Sequence, residues 1–341
     1  MNKIENVTIG ISTFGPYPRA HYLIDSIRRN MTDKGDLNVN ILLCDDGTPA
    51  GQLDDRRRFC QAMDKKMRNE MGVGVRLLEH GVNKGIPTVW NSIIAESPEA
   101  QAIVIFSDGV RIMMSGWLNH MISFLDLNED IGTVGIPHVP DPNLYNPNEE
   151  RWDGVVGKVG AATGNSFAFR PEVIKKIKNV DGSVGYWEDL LSFHEEIHGS
   201  LILSQMGYLS AMLPAFPSYY RGGLAFAAHP ELIWRGDSPY LSGEEFVFWM
   251  KQSKWFVPQY MEYYNNNMYD KMGFSRIMFC KYWGILEECK AGRRYQAIKG
   301  EENVDILDDP PKFVHPQVVD TIPPRTVKWI DRHGVERSCD V

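Results

Sequence analysis

Within the first 110 residues, four short apolar runs alternate with amphipathic stretches, and no other feature of the sequence narrows the fold as far. Residues 7–13 (VTIGIST) read as a strand, and 18–30 as a helix with Leu23, Ile24 and Ile27 on one face. Residues 39–44 (VNILLC) read as a second strand. Residues 53–71 form a charged helix in which Phe59, Met63, Met67 and Met71 recur every four positions as a packing stripe. A third strand (75–78), a helix (87–95) and a fourth strand (102–106, AIVIF) follow. Strands alternating with helical periods predict a mixed, mostly parallel α/β sheet flanked by crossover helices. Further on, the pattern predicts a strand at 131–136, a loop rich in Pro, Asn and Asp at 137–148, and a small-residue turn entering a strand at 160–169. A helix at 197–206 is stopped by Gly207, and the tail (TVKWIDRHGVERS) reads as a hairpin.

A chain of 341 residues exceeds what one core usually holds, about 250–300 residues, so a main domain with a smaller appendage is expected. Composition turns aromatic and Asn-rich beyond about residue 238, placing the division at 1–235 and 236–341, with the second part a smaller α+β appendage on the acceptor side. Apolar residues make up 43% and charged residues 23%, as in globular proteins, and no run reaches the roughly 18 apolar residues of a membrane span. The N-terminus has no basic region and no small-residue cleavage site, so a soluble, cytoplasmic protein is expected. Five scattered cysteines without a CxxC suggest neither a disulfide framework nor a cysteine zinc site. A net charge of -8 argues against indiscriminate polyanion binding. The basic clusters Arg56-Arg57-Arg58, Lys65-Lys66 and Arg293-Arg294 read as solvated helix faces.

Ligands of open α/β sheets bind beyond the carboxyl ends of the strands. Here the second strand delivers Asp45-Asp46-Gly47, the third leads to Asn83-Lys84-Gly85, and the fourth delivers Ser107-Asp108-Gly109. Carboxylates at neighbouring strand ends suit a sugar, a ribose or a divalent metal carrying phosphates, and suit bare phosphate poorly. Neither a GxxxxGK[ST] loop nor a GxGxxG turn after the first strand is present, which disfavours P-loop kinases and classical dehydrogenases.

Taken in order, these segments resemble the family 2 glycosyltransferases of GT-A fold over roughly residues 5–235. VTIGISTFGPYPRAHYLIDSI is similar to the family's opening strand, loop and Arg-bearing helix start. ILLCDDGT is similar to its "VVDDGS" strand end, and EHGVNKGIPTVWNSII to its "NxG…xxN" segment. IVIFSDGVRIMMSGWL stands where the family carries a metal-binding "DxD", and TGNSFAFRPEV resembles its acceptor-side turn. The resemblance implies a nucleotide-sugar donor, a UDP-sugar by preference, held by Thr13, Phe14, Arg19, Asp45, Asp46, Asn83, Lys84, Gly85, Asn91, Ser107 and Asp108. It implies Mn²⁺ or Mg²⁺ on Asp108 and His229, although Ser107-Asp108-Gly109 keeps one carboxylate of the acidic triplet. Gly164, Asn165, Trp187 and Glu188 fall on the acceptor side. The catalytic base, counted back from Gly207-Tyr208, falls on Glu196, with Glu195 beside it and Asp189 as the rival. An inverting transfer to an acceptor hydroxyl follows, on a glycan by default.

Three competing readings stand beside this one. His194-Glu195-Glu196-Ile197-His198 matches the HExxH pattern of zinc proteases, in which two histidines one helical turn apart hold the metal, though Gly199 is a poor continuation of such a helix. The weakened acidic triplet also fits a non-catalytic sugar-nucleotide-binding protein. Basic clusters and C-terminal aromatics fit an acceptor in DNA, a hydroxymethylated base flipped from the duplex.

Overall fold

The structure, a computed structural model, describes residues 3–14, 18–31, 34–48, 50–112, 115–136, 138–139, 155–157, 166–190, 195–213, 218–220, 324–330 and 335–340. Strand β1 (Asn6–Thr13) leads through helix α1 (Pro18–Asn30) to β2 (Asn38–Asp45), and helix α2 (Ala50–Met71) to β3 (Gly74–Glu79). Helix α3 (Ile86–Ala95), β4 (Ala102–Ser107), the short β5 (Val110–Ile112), α4 (Trp117–Leu127) and β6 (Ile131–Gly135) follow. After β7 (His138–Val139) and β8 (Val155–Gly157) come β9 (Ser166–Phe169), α5 (Pro171–Ile174), a 3-10 turn at Glu188–Leu190 and α6 (Glu195–Gln205). β10 (Leu209–Met212), β11 (Ser218–Tyr220), β12 (Thr326–Ile330) and β13 (Glu336–Asp340) complete the described elements.

Eight strands form one sheet in the order β3-β2-β1-β4-β9-β6-β10-β8. The first four are parallel, β9 runs antiparallel between β4 and β6, and β10 returns parallel to β6. This is the predicted mixed, mostly parallel sheet flanked by helices. Its central strands are near-continuous apolar runs because both faces are covered. Side chains alternate between two cores: Ile9, Ile11, Ile41, Leu43, Val104 and Phe106 face α1, α2 and α4, while Leu42, Cys44, Ile103 and Ile105 face α3 and α6. The methionine stripe of α2 packs as expected, with Met67 wholly buried.

Several elements depart from the sequence reading, which has no helix α4 or α5, no strands β8 and β10 in the main sheet, and no small sheet β5-β11-β7 continuing from the turn after β4. The tail does form an antiparallel ladder, pairing Thr326 with Asp340 and Ile330 with Glu336. It lies on α4, where Val327 and Trp329 join the same core as Leu118, Met121 and Leu125. His120 Nδ1 hydrogen-bonds the Ile330 carbonyl at 2.9 Å, and Asn128 brackets Lys328 by accepting from its N–H and donating to its carbonyl. Among the described residues no helix is long and apolar enough to cross a membrane.

Candidate active site

Parallel pairing puts the ends of β1, β2 and β4 side by side, with Thr13 opposite Asp45 and Ser12 opposite Ser107. Buried charge gathers there. Asp108, 7% exposed, accepts a hydrogen bond from Thr13 Oγ1 at 2.8 Å and faces Arg19 Nη2 at 3.6 Å. Arg19 also donates to the Phe14 carbonyl. Asp45 Oδ1 accepts from the backbone N–H groups of Gly47 and Thr48, and Oδ2 pairs with Arg56, which also donates to Thr48 Oγ1. Asp46 accepts from the N–H groups of Lys84 and Gly85 at 2.8 and 3.0 Å and meets His80 Nδ1 at 3.1 Å. Gly47, at φ 83°, lies so close to Val82 and Asn83 that an added Cβ would sit about 2.2 Å from the Asn83 nitrogen. That closeness presses the Asp45-Asp46-Gly47 turn onto the loop before α3.

The predicted donor residues Thr13, Phe14, Arg19, Asp45, Asp46, Lys84, Gly85 and Asp108 are therefore linked by direct contacts. Ser107 is half-buried at the end of β4, and Asn83 Oδ1 is buried with no described hydrogen-bond partner. Asp45 and Asp46 direct their carboxylates at protein groups, so they shape the turn and the start of α3. Asn91 does likewise: Nδ2 donates to the Tyr186 carbonyl and to Glu188 Oε1, and Oδ1 accepts from the Tyr186 N–H. Gly185, at φ 95°, makes room for this, since a Cβ there would lie 2.7 Å from Asn91 Oδ1. Glu188 is exposed beside this clasp and Trp187 is buried next to it. Asp189 lies in the 3-10 turn.

Arg56 corrects the reading of its cluster. Arg57 and Arg58 are solvated as expected, but Arg56 is wholly buried, and burial lowers its pKa to about 10. It lies on the stripe of Phe59, Cys60, Met63 and Met67, three and four residues apart, and that phase was the signal in the sequence. Thr48 and His80 were also missed; each serves a carboxylate.

At the start of α6, Glu195 is buried and Glu196 half-buried. Burial, reinforced by the charge of Glu196, pushes the Glu195 carboxyl well above the usual range, and Oε2 has no hydrogen-bond partner among the described residues. His198 is wholly buried beside the Trp187 ring, and burial lowers its pKa to about 3. Asn179 Nδ2 donates to Ser183 Oγ and the Gly185 carbonyl, so its Oδ1 faces His198 Nε2 at 3.1 Å and that nitrogen carries the hydrogen. His198 Nε2 is thus engaged by Asn179, and the other histidine of the HExxH pattern, His194, lies outside the described residues. His194, His229, Gly164 and Asn165 lie outside the described residues.

No group of three His, Cys, Asp or Glu among the described residues could hold a metal ion. Asp108 is the one carboxylate of the acidic turn, and its Oδ2 is engaged by Thr13 and Arg19. Divalent Mg²⁺ takes about six oxygen ligands, so this donor set does not by itself fit a cation.

No family model matches the sequence, and no curated protein matches it. Among solved structures, the chain is similar to the mannosyltransferase PcManGT from Pyrobaculum calidifontis in complex with GDP-Man and Mn²⁺ (15% identity, 88% of this chain and 83% of that one, TM-score 0.48). It is similar to GalNAc-T7 with UDP, GalNAc and Mn²⁺ (12%, 77% and 58%, 0.48). It is also similar to S. aureus TarS (14%, 69% and 41%, 0.45), spanning about two fifths of that chain.

Proposed function

We propose that this chain is a glycosyltransferase of GT-A type that moves a sugar from a nucleotide-sugar donor, by preference a UDP-sugar, to an acceptor hydroxyl, by default on a glycan. One observation carries the reading. Stretches far apart in sequence, each resembling a donor-side motif, converge on the carboxyl ends of β1, β2 and β4 and on the loop before α3, through Thr13–Asp108, Arg19–Asp108 and Asp46–Lys84 contacts. This is the edge at which open α/β sheets bind ligands.

The pair on α6 divides two tasks. Glu195 is buried, and burial raises its pKa well above the usual carboxylate range; Glu196 is half-buried and reaches solvent. In an inverting transfer Glu196 would take the proton of the attacking hydroxyl while the nucleoside diphosphate departs from the opposite face of the sugar. Asn91 supports the acceptor side by holding the Tyr186–Glu188 stretch. No step is routed through a metal.

The test is a thermal-shift panel of nucleotide sugars with and without Mn²⁺, followed by transfer assays on Glu196→Gln. A donor that binds only the folded state raises its stability. The expected result is stabilisation by one nucleotide-sugar class, retained in Glu196→Gln while turnover falls by about 100-fold or more. Wild-type turnover would remove Glu196 as the base, and silence to every donor would remove the transferase reading.

A further inference from the structure

A polar cavity of about 280 Å³ opens at the amino ends of β1, β2 and β3, the end of the sheet remote from the carboxylates described above. A row of paired positions, Gly74 beside Asn40 and Asn40 beside Thr8, lines it from the sheet, on the face that carries Leu42. Ser97 and Ala100, in the turn after α3, line it from the helical layer. Thr8 and Ser97 are each 8% exposed, and neither hydroxyl has a hydrogen-bond partner among the described residues. Covered hydroxyls are ordinarily paired, so two of them on one cavity mark a place for a ligand that both gives and takes hydrogen bonds. The exposed Asn40 amide adds a further donor and acceptor. Gly74 keeps the space open, since a Cβ there would lie 2.8 Å from Arg68 Nη2 and 3.1 Å from Asn40 Oδ1.

The charges around the cavity narrow the class of ligand. Arg68 is held through Nε by Asp64, and Arg76 is held by the carboxylate and the carbonyl of Glu96. Glu99 adds another carboxylate. Cations therefore do not outnumber carboxylates here, and an anion gains no net attraction. No aromatic ring is among the described residues that line the cavity, so a nucleobase would find no stacking surface.

We propose that this cavity is a binding site for one neutral monosaccharide unit, separate from the donor edge. Sugar hydroxyls donate and accept at once, as Thr8, Ser97 and Asn40 require, and the C–H faces of the ring suit Leu42 and Ala100. The volume, at the lower end of small-molecule pockets, suits a single ring. The inference stands on these side chains alone and does not need the transferase reading.

The experiment titrates glucose, galactose, mannose and N-acetylglucosamine, with inorganic phosphate as the anionic probe, against the full chain by saturation-transfer NMR. Wild type, Thr8→Val, Ser97→Ala, Asn40→Ala and the exposed control Arg58→Ala are compared. At least one sugar should bind wild type and Arg58→Ala alike, and each of the other three variants should weaken it about 2- to 10-fold, the size of one neutral hydrogen bond. Melting temperatures verify folding, and Asn40→Ala, at an exposed position, carries the test if a buried variant does not fold. Unchanged affinity in the folded variants overturns the proposal, as does phosphate binding in place of sugar, or no sugar binding by wild type. None of these outcomes bears on the transferase reading, which the nucleotide-sugar panel tests separately.

Discussion

Glu195 and His198 sit one turn apart on α6, and burial moves their protonation in opposite directions. Glu195 keeps its proton in the folded chain above pH 4.5, where an unfolded glutamate loses it. Its contribution to stability is therefore whole below pH 4.5 and is lost as pH rises toward the higher folded value. Glutamine has the same shape and does not titrate. Melting temperatures of Glu195→Gln and wild type should coincide at pH 4 and separate at pH 8 with the variant higher; equal curves at both pH values would show that the carboxyl is solvated. The sequence places these glutamates together at a helix start and the resemblance favours Glu196, but their difference in burial was not legible there, because it arises where the fold brings Tyr186 and Trp187 against α6. Arg56 is the converse case. Its neighbours in the sequence are solvated arginines, yet helical phase puts it among Phe59, Cys60 and Met63, and Asp45 gives a buried guanidinium its partner.

Helix α3 is the element that joins the two halves of the site. Its N-cap residue, Gly85, donates to Asp46, and Asn91 in its middle holds the Tyr186–Glu188 stretch. Asn91→Ala should cost about 2–3 kcal/mol in urea unfolding, because Tyr186 N–H and C=O lose their partner in a covered position, and transfer should fall more than donor affinity does. Unchanged stability would show that the clasp is dispensable. The strands and helices β1 to β4 were legible because each carries its own period and turn signals. Helix α4 was not, and the reason is physical: Trp117, Leu118, His120, Met121, Ile122, Phe124 and Leu125 are all buried, with the sheet on one side and β12 on the other. A helix covered on two faces shows no amphipathic stripe.

At the scale of the molecule, the tail closes the sheet's helical layer. Trp329, 6% exposed, and Val327 fill the outer face of α4, and Arg325 donates to Asp130 at 2.6 Å at the edge of that seam. Trp329→Ala should lower stability by about 3–5 kcal/mol, read by urea denaturation, while the proposed nucleotide affinity, set at the carboxyl ends of β1, β2 and β4, stays at the wild-type value. A tail that were mere decoration would tolerate the change. The partners across this seam are 210 residues apart in the chain for His120 and Ile330, and 200 for Asn128 and Lys328. Contacts of such separation form slowly, since a long loop must close first. During synthesis, then, the sheet can assemble while α4 still shows bare apolar surface, a patch that could stick to neighbouring chains until β12 arrives to cover it.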